Sequence, residues 1–373
     1  MDLPSLEDLG NLNGKNVLVR TDFNVPIDSG EIIDDFRIKA AIPTLKYLLE
    51  AGANVTACSH LGRPNGTPDQ KYAMAPVKRR LQELLPAVTL LENLRFNQGE
   101  AANDQSFVND LIADQDAYVN DAFGASHRSH ASIVGPPKVL PSAAGRLLFK
   151  EVEVLTALRN SPRRPFVAIL GGSKVSDKIG VIDALLEVVD ELIIGGGMCF
   201  TFLKAKGHEV GSSLLEHDYV GYCGELLDNG APIRLPHDIT AMDSDGKIGD
   251  PTFGGVVRQV GVEIQNGWMG LDIGPGTAAE FGDRIAEART ILWNGPMGVF
   301  EDERFAAGTK HIAMCMAENN AAFTVVGGGD SAAAAKQFNL ENQMDHVSTG
   351  GGASLELIEK GDLPGLIALR ESL

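Results

Sequence analysis

Cysteine is scarce. Cys58, Cys199, Cys223 and Cys315 are the only four in 373 residues, too scattered for a disulfide framework, and no C-x-x-C occurs. A reducing compartment is the expectation, and with it a cytoplasmic location. Positive charge is also short: 32 Lys and Arg stand against 50 Asp and Glu, a formal net charge of −18. That balance argues against nucleic acid, whose phosphates need a basic face, and against adhesion to anionic membranes. No apolar run approaches a membrane span. The opening MDLPSLEDLG has no basic segment leading into an apolar core, so no signal peptide is expected. Several signatures are missing as well. Without G-x-x-x-x-G-K-[ST] or G-x-G-x-x-G, P-loop and dinucleotide readings are weakened. Without H-E-x-x-H or G-x-S-x-G, the simplest zinc-peptidase and α/β-hydrolase readings go too. No long-period repeat or low-complexity tract occurs.

The length fits about two domains, each large enough for its own core. Short apolar runs read as strands at Asn16–Arg20, Asn54–Ser59, Val88–Leu91, Ala117–Asn120, Phe166–Leu170, Glu191–Ile194, Thr290–Trp293 and Phe323–Val326. Amphipathic stretches at Arg37–Glu50, Val77–Leu85, Ile182–Val189 and Arg304–Glu318 alternate with them. This pattern predicts an α/β protein of doubly wound parallel sheets, with ligands at the carboxyl ends of the strands. Ala143–Arg159 reads as one long helix that ends at the Pro- and Arg-containing SPRRP. It is taken as the junction between lobe 1–158 and lobe 159–362, with a substrate cleft between them.

Four glycine-rich turns follow strands in the second half: Gly171–Lys174, Gly195–Gly197, Gly327–Ser331 and Gly350–Gly352. Glycine lets backbone amides approach a ligand, and a following helix adds free N–H groups, so each turn is a candidate phosphate cradle. For any one cluster, a plain tight turn is the better reading; four in one lobe point to a nucleotide site. In the first half, Arg20, Arg37, His60, Arg63, Arg95, His127, Arg128 and His130 recur at strand ends and loops. In so acidic a chain they suggest a pocket for a small polyanion, since Arg grips phosphate or carboxylate bidentately. For each Arg alone, a surface salt bridge is an equal reading, and for His130 a structural hydrogen bond is the better one.

Seven segments, in order along nearly the whole chain, resemble phosphoglycerate kinases: Arg20–Pro26 (RTDFNVP), Ser59–Pro64 (SHLGRP), Leu91–Phe96 (LENLRF), Asp121–Gly124 (DAFG), Gly172–Lys178 (GSKVSDK), Trp293–Glu301 (WNGPMGVFE) and Ser348–Ser354 (STGGGAS). The resemblance implies reversible phosphoryl transfer between 1,3-bisphosphoglycerate and ADP, giving 3-phosphoglycerate and MgATP, by a monomer. It implies two Rossmann-like lobes joined by a long helix and hinge, the first binding glycerate and the second nucleotide. By similarity, Asp22, Phe23 and Asn24 meet the glycerate, while His60, Leu61, Gly62, Arg63, Arg95 and Arg128 surround the non-transferred phosphate. Arg37 and Lys174 flank the phosphoryl in flight, with Gly350, Gly351 and Gly352 offering amides to it. Gly171, Gly195, Gly196 and Gly197 wall the adenine slot, Asn294 and Pro296 line the nucleotide site, and Glu301 contacts the ribose. Lys178, Gly328, Gly329 and Ser331 face the nucleotide phosphates, and Asp330 is the Mg²⁺-associated carboxylate. The resemblance further implies closure about a hinge near Asn160–Pro165, a second crossing near the C-terminus, and a tail, 363–373, returning to the first lobe.

The chain also departs from the family. Few residues, around Pro86–Leu90, separate the Val77–Leu85 helix from LENLRF, so the N-terminal sheet is expected to be one peripheral strand short. Ser331 stands where Thr is frequent and keeps the hydroxyl. Two other readings compete: a phosphometabolite-binding protein that has lost turnover, and a dehydrogenase. Retention of the transfer groups opposes the first and the missing dinucleotide fingerprint the second.

Overall fold

The structure, a computed structural model, describes residues 2–372. Residues 1 and 373, the outer ends of the expected first lobe and its tail, lie outside it. Two compact units form: one runs to Thr156 and resumes at Gly352, the other spans Ala157–Gly351.

The first unit is built on a five-stranded parallel sheet. Its strand order is Thr89–Leu90, Asn54–Cys58, Asn16–Thr21, Ala117–Asp121, Ser142–Ala144. The central strands are almost wholly buried, as expected when helices cover both faces of a parallel sheet. Helix Phe36–Glu50 places Ile38, Ala41, Leu45 and Leu48 at helical spacing into a core shared with Val17, Val19 and Val55. Only Leu85–Val88 separate helix Ala75–Leu84 from edge strand Thr89–Leu90. Near the other end of the chain, helix Pro364–Glu371 docks on this unit. There Gly365 N–H donates to the Ser126 carbonyl at 2.9 Å, and Ala368 packs with Ala122, Ala125, Ile133 and Val134.

The second unit holds a six-stranded parallel sheet. Its order is Ile233–Arg234, Glu191–Ile194, Phe166–Leu170, Thr290–Asn294, Phe323–Gly327, His346–Val347. It also holds an antiparallel sheet of Val257–Gly261, Asp238–Asp243 and Trp268–Ile273, which the sequence reading did not anticipate. The long helix expected at Ala143–Arg159 needs correcting. Ser142–Ala144 is a strand paired with Tyr118–Asn120, and the helix runs Arg146–Asn160. Gly145 makes the break: a Cβ there would lie 2.1 Å from the Asp121 carboxylate. That carboxylate accepts the amides of Leu147 (3.0 Å) and Leu148 (3.2 Å), capping the helix. Burial raises its pKa to about 6, against the pull of Thr44 and the two amides.

Candidate active site

In the first unit, the glycerate-side candidates leave the carboxyl ends of the sheet strands. Asp22–Asn24 follow Asn16–Thr21, His60–Arg63 follow Asn54–Cys58, and Arg128 lies beyond Ala117–Asp121. Arg95 lies in the turn Leu94–Phe96, and Arg37 in the first turn of helix Phe36–Glu50. Hydrogen bonds stitch these loops together. Arg37 donates to Asp22 Oδ2 at 2.9 Å and to the Asn24 carbonyl at 3.4 Å. Asn24 Oδ1 accepts the Gly62 amide at 2.8 Å, and the Gly62 carbonyl accepts from Arg95 at 2.7 Å. Asn93, which the sequence reading passed over as a site residue, clamps Leu61 from both sides (3.2 and 2.7 Å) and accepts the Arg95 amide at 3.0 Å. Gly62 has φ +60°, and a Cβ on it would stand 2.2 Å from the Tyr72 ring; only glycine fits that turn.

Arg20 and Arg128 lie close enough to Arg95 for their charges to act on it. Burial, and then the neighbouring Arg20 charge, lower the Arg95 pKa to about 10, with Arg128 adding to the effect. Arg63 and Arg128 are exposed. Phe23 and Leu61 point their side chains into the core, so they shape the site through their backbones; the Phe23 amide donates to Ser59 Oγ at 2.8 Å. Arg20 is fully buried and does not line a pocket.

In the second unit, a pocket of about 300 Å³ opens at the same end of the sheet. Gly172, Gly196, Gly197, Phe200, Leu271, Pro296 and Met297 line it, and Glu301 and Asp330 contribute polar groups. Apolar walls with a few polar groups suit a planar base carrying a charged tail. Gly171 and Gly195 lie behind the wall: a Cβ would come 2.0 Å from the Pro296 carbonyl at Gly171 and 2.4 Å from Met297 Sδ at Gly195. They let the turns close-pack, as does Gly196, whose Cβ would come 2.5 Å from the Gly172 amide, whereas a Cβ on Gly172 would meet only the end of Lys178 at 3.9 Å. Lys178 reaches Asn294, donating to its carbonyl at 3.1 Å and to its side-chain oxygen. Burial lowers the Lys178 pKa to about 8, opposed by the carboxylates of Asp330 and Asp177. Ser331 is buried and accepts the Gly295 amide at 2.5 Å, tying two loops together. Gly328 precedes helix Gly329–Gln337. Gly350 donates to Ser348 Oγ at 3.1 Å, and Gly351 opens helix Gly351–Lys360. A Cβ on Gly351 would lie 3.4 Å from the Gly329 amide, so two helix starts adjoin where an anion is favoured.

Lys174 is exposed, and its loop is fixed from elsewhere. Glu216 accepts the amides of Val175 (2.6 Å) and Ser176 (3.1 Å) and the Ser176 hydroxyl (2.5 Å). Burial alone would raise its pKa; these donors and the Lys174 charge hold it below the ordinary carboxylate value. Nothing in the sequence singled out Glu216. Glu216→Gln puts an amide against one of these donors and loosens the loop. It is expected to cut kcat by about tenfold to a hundredfold, in line with the cost of small misplacements, with KM unchanged in steady-state assays.

The phosphoglycerate kinase family model matches residues 6–89 and 86–361. The chain belongs to the phosphoglycerate kinase family. It is 51% identical to the phosphoglycerate kinase of Rubrobacter xylanophilus, covering 100% of this chain and 99% of that one, and 51% identical to that of Salinispora arenicola (99% and 100%). Among solved structures, the phosphoglycerate kinase of Coxiella burnetii matches with a TM-score of 0.88 at 37% identity, over 99% of both chains. The Pyrococcus horikoshii enzyme gives 0.86 at 33%. The chain is therefore a phosphotransferase, a kinase with the glycolytic role of that family. The two matched pieces of the phosphoglycerate kinase model overlap at 86–89, where the chain enters the edge strand Thr89–Leu90. The Rubrobacter alignment runs to 396 positions against 373 residues here.

Proposed function

We propose that the first unit binds 3-phosphoglycerate or 1,3-bisphosphoglycerate, and that the second binds ADP or ATP in the pocket beside Gly172 and Gly196. The observation that carries this reading is the cationic set of Arg37, Arg95 and Arg128, with the neutral ring of His60 among them, at the carboxyl end of one sheet, where hydrogen bonds from Arg37 and Arg95 stitch the loops together. In it, Asp22 and Asn24 orient the glycerate, and His60, Arg63, Arg95 and Arg128 hold its distal phosphate. Arg37 and Lys174 bracket the phosphoryl in transit, and the amides of Gly350, Gly351 and Gly352 receive its oxygens. Pro296 and Glu301 hold the base and ribose; Lys178, Asn294, Gly329 and Ser331 serve the nucleotide phosphates.

The acceptor in the ATP-consuming direction is a carboxylate, ionised at neutral pH, so no general base is needed. Alignment and positive charge around the equatorial oxygens supply the catalysis. Among the described residues, no three His, Cys, Asp or Glu converge on a metal position. Asp330 is an exposed carboxylate in the first turn of helix Gly329–Gln337. One such carboxylate fits Mg²⁺, which keeps waters and takes its other ligands from phosphates. When bound, the ion neutralises phosphate charge; Asp330 would hold it.

Transfer requires both ligands to meet, and bending near Asn160–Pro165 with a second crossing near the C-terminus is the movement this reading assigns. Closure also keeps water from the acyl phosphate. The working unit is a single chain in the cytoplasm, a setting supported by four free cysteines. A coupled assay tests the function: MgATP-dependent phosphorylation of 3-phosphoglycerate is expected, and ligand binding without turnover would refute it.

A further inference from the structure

Behind His60 lies a buried polar network that the roles above leave unused. Arg20, Glu100 and Ser132 are each fully buried. Arg20 Nε donates to Ser132 Oγ at 2.7 Å, one of its terminal nitrogens donates to the Thr21 carbonyl, and the other stands 3.2 Å from His60 Nδ1. Ser132 Oγ donates in turn to Glu100 Oε1 at 2.7 Å, and the Ser132 amide to Oε2 at 2.9 Å. Glu100 Oε1 lies 3.8 Å from Arg20 and 3.7 Å from His130 Nδ1. Burial would raise the Glu100 pKa, but His130, Arg20 and Ser132 bring it down to about 2. The carboxylate is therefore ionised, the partner a buried guanidinium requires.

A guanidinium has donors and no acceptor. The His60 nitrogen facing Arg20 must then be the acceptor, which leaves the ring proton on Nε2. The charged groups facing His60 are Arg20, Arg37, Arg95 and Glu100. Burial, reinforced by the three arginines and only partly countered by Glu100, holds the His60 pKa well below its ordinary value.

We infer that the Arg20–Ser132–Glu100 network is a positioning device that locks His60 as the neutral, Nε2–H tautomer, a fixed hydrogen-bond donor to the substrate phosphate. This rests on the placement of His60 in the glycerate site. The charge of the phosphate cup then comes from arginine alone. A ring that can only donate also favours the dianionic phosphate, every free oxygen of which accepts.

The test uses the full chain labelled with ¹⁵N in its histidine rings, with the His60 signals assigned through the His60→Gln variant. Long-range ¹H–¹⁵N spectra are expected to show Nδ1 bare and Nε2 protonated, without titration between about pH 5 and 8. Saturating 3-phosphoglycerate should shift the Nε2–H pair and leave Nδ1 bare. A protonated Nδ1, or a ring titrating in that window, overturns the inference, and a shift with 3-phosphoglycerate would still uphold the site. The expected tautomer with no response to 3-phosphoglycerate would instead remove His60 from the site.

Ser132→Ala keeps both buried charges and deletes the link between them. Its KM for 3-phosphoglycerate is expected to rise about fivefold, the cost of one buried hydrogen bond, with kcat held and both His60 tautomers appearing. An unchanged KM with an unchanged tautomer would overturn the role of the network.

Discussion

Replacing Lys174 with alanine is expected to lower kcat by roughly a hundred- to a thousandfold, the usual cost of deleting one donor to developing charge. The side chain is exposed, and its loop is held by Glu216 through the Val175 and Ser176 groups rather than by the lysine. The variant should therefore unfold at the same temperature as the parent. Steady-state kinetics beside a thermal melt checks both halves. A full kcat would remove Lys174 from the transfer step, and a depressed melt would show that the loop depends on it.

Arg37→Ala should cost as much in kcat, and for a reason the geometry separates from Lys174. Arg37 bonds Asp22 at 2.9 Å and the Asn24 carbonyl at 3.4 Å, so besides the transfer role proposed for it, it orders the Asp22–Asn24 loop to which the glycerate is assigned. Its loss is expected to raise the KM for 3-phosphoglycerate as well, whereas Lys174→Ala leaves that KM in place. An interaction made only in the transition state lowers kcat and kcat/KM together; a loss that also raises KM has removed ground-state binding. Lysine at position 37 should restore little, because one ammonium cannot reproduce the guanidinium fork.

Eight of the eleven strands of the parallel sheets were legible to within a residue or two, because a strand buried on both faces is a nearly unbroken apolar run; Ile233–Arg234 and His346–Val347 are two-residue, half-buried strands that leave no such run. Ala143 and Ala144 misled for the opposite reason. Alanine favours helix intrinsically, but pairing with Val119 and Asn120 draws these residues into the sheet. The antiparallel sheet escaped notice because Val257–Gly261 is mostly exposed and carries no apolar alternation. Within the site, Arg, Lys and Gly stood out against an acidic background. Glu100, Glu216 and Asn93 did not: one more Glu among 50 acidic residues has no contrast, and a clamp such as Asn93 is recognisable only from its partners. Arg20 shows the limit from the other side, visible as a cation but buried behind the pocket it was expected to line.

The most direct measurement is a crystal structure of the chain with 3-phosphoglycerate and ADP bound. The phosphate of the glycerate is predicted within hydrogen-bonding distance of His60, Arg63, Arg95 and Arg128, and the adenine in the pocket lined by Gly172, Gly196 and Met297. Finding the glycerate instead in the open groove of the first unit lined by Lys71, Tyr72 and Arg79, with the arginine set empty, would contradict the assignment.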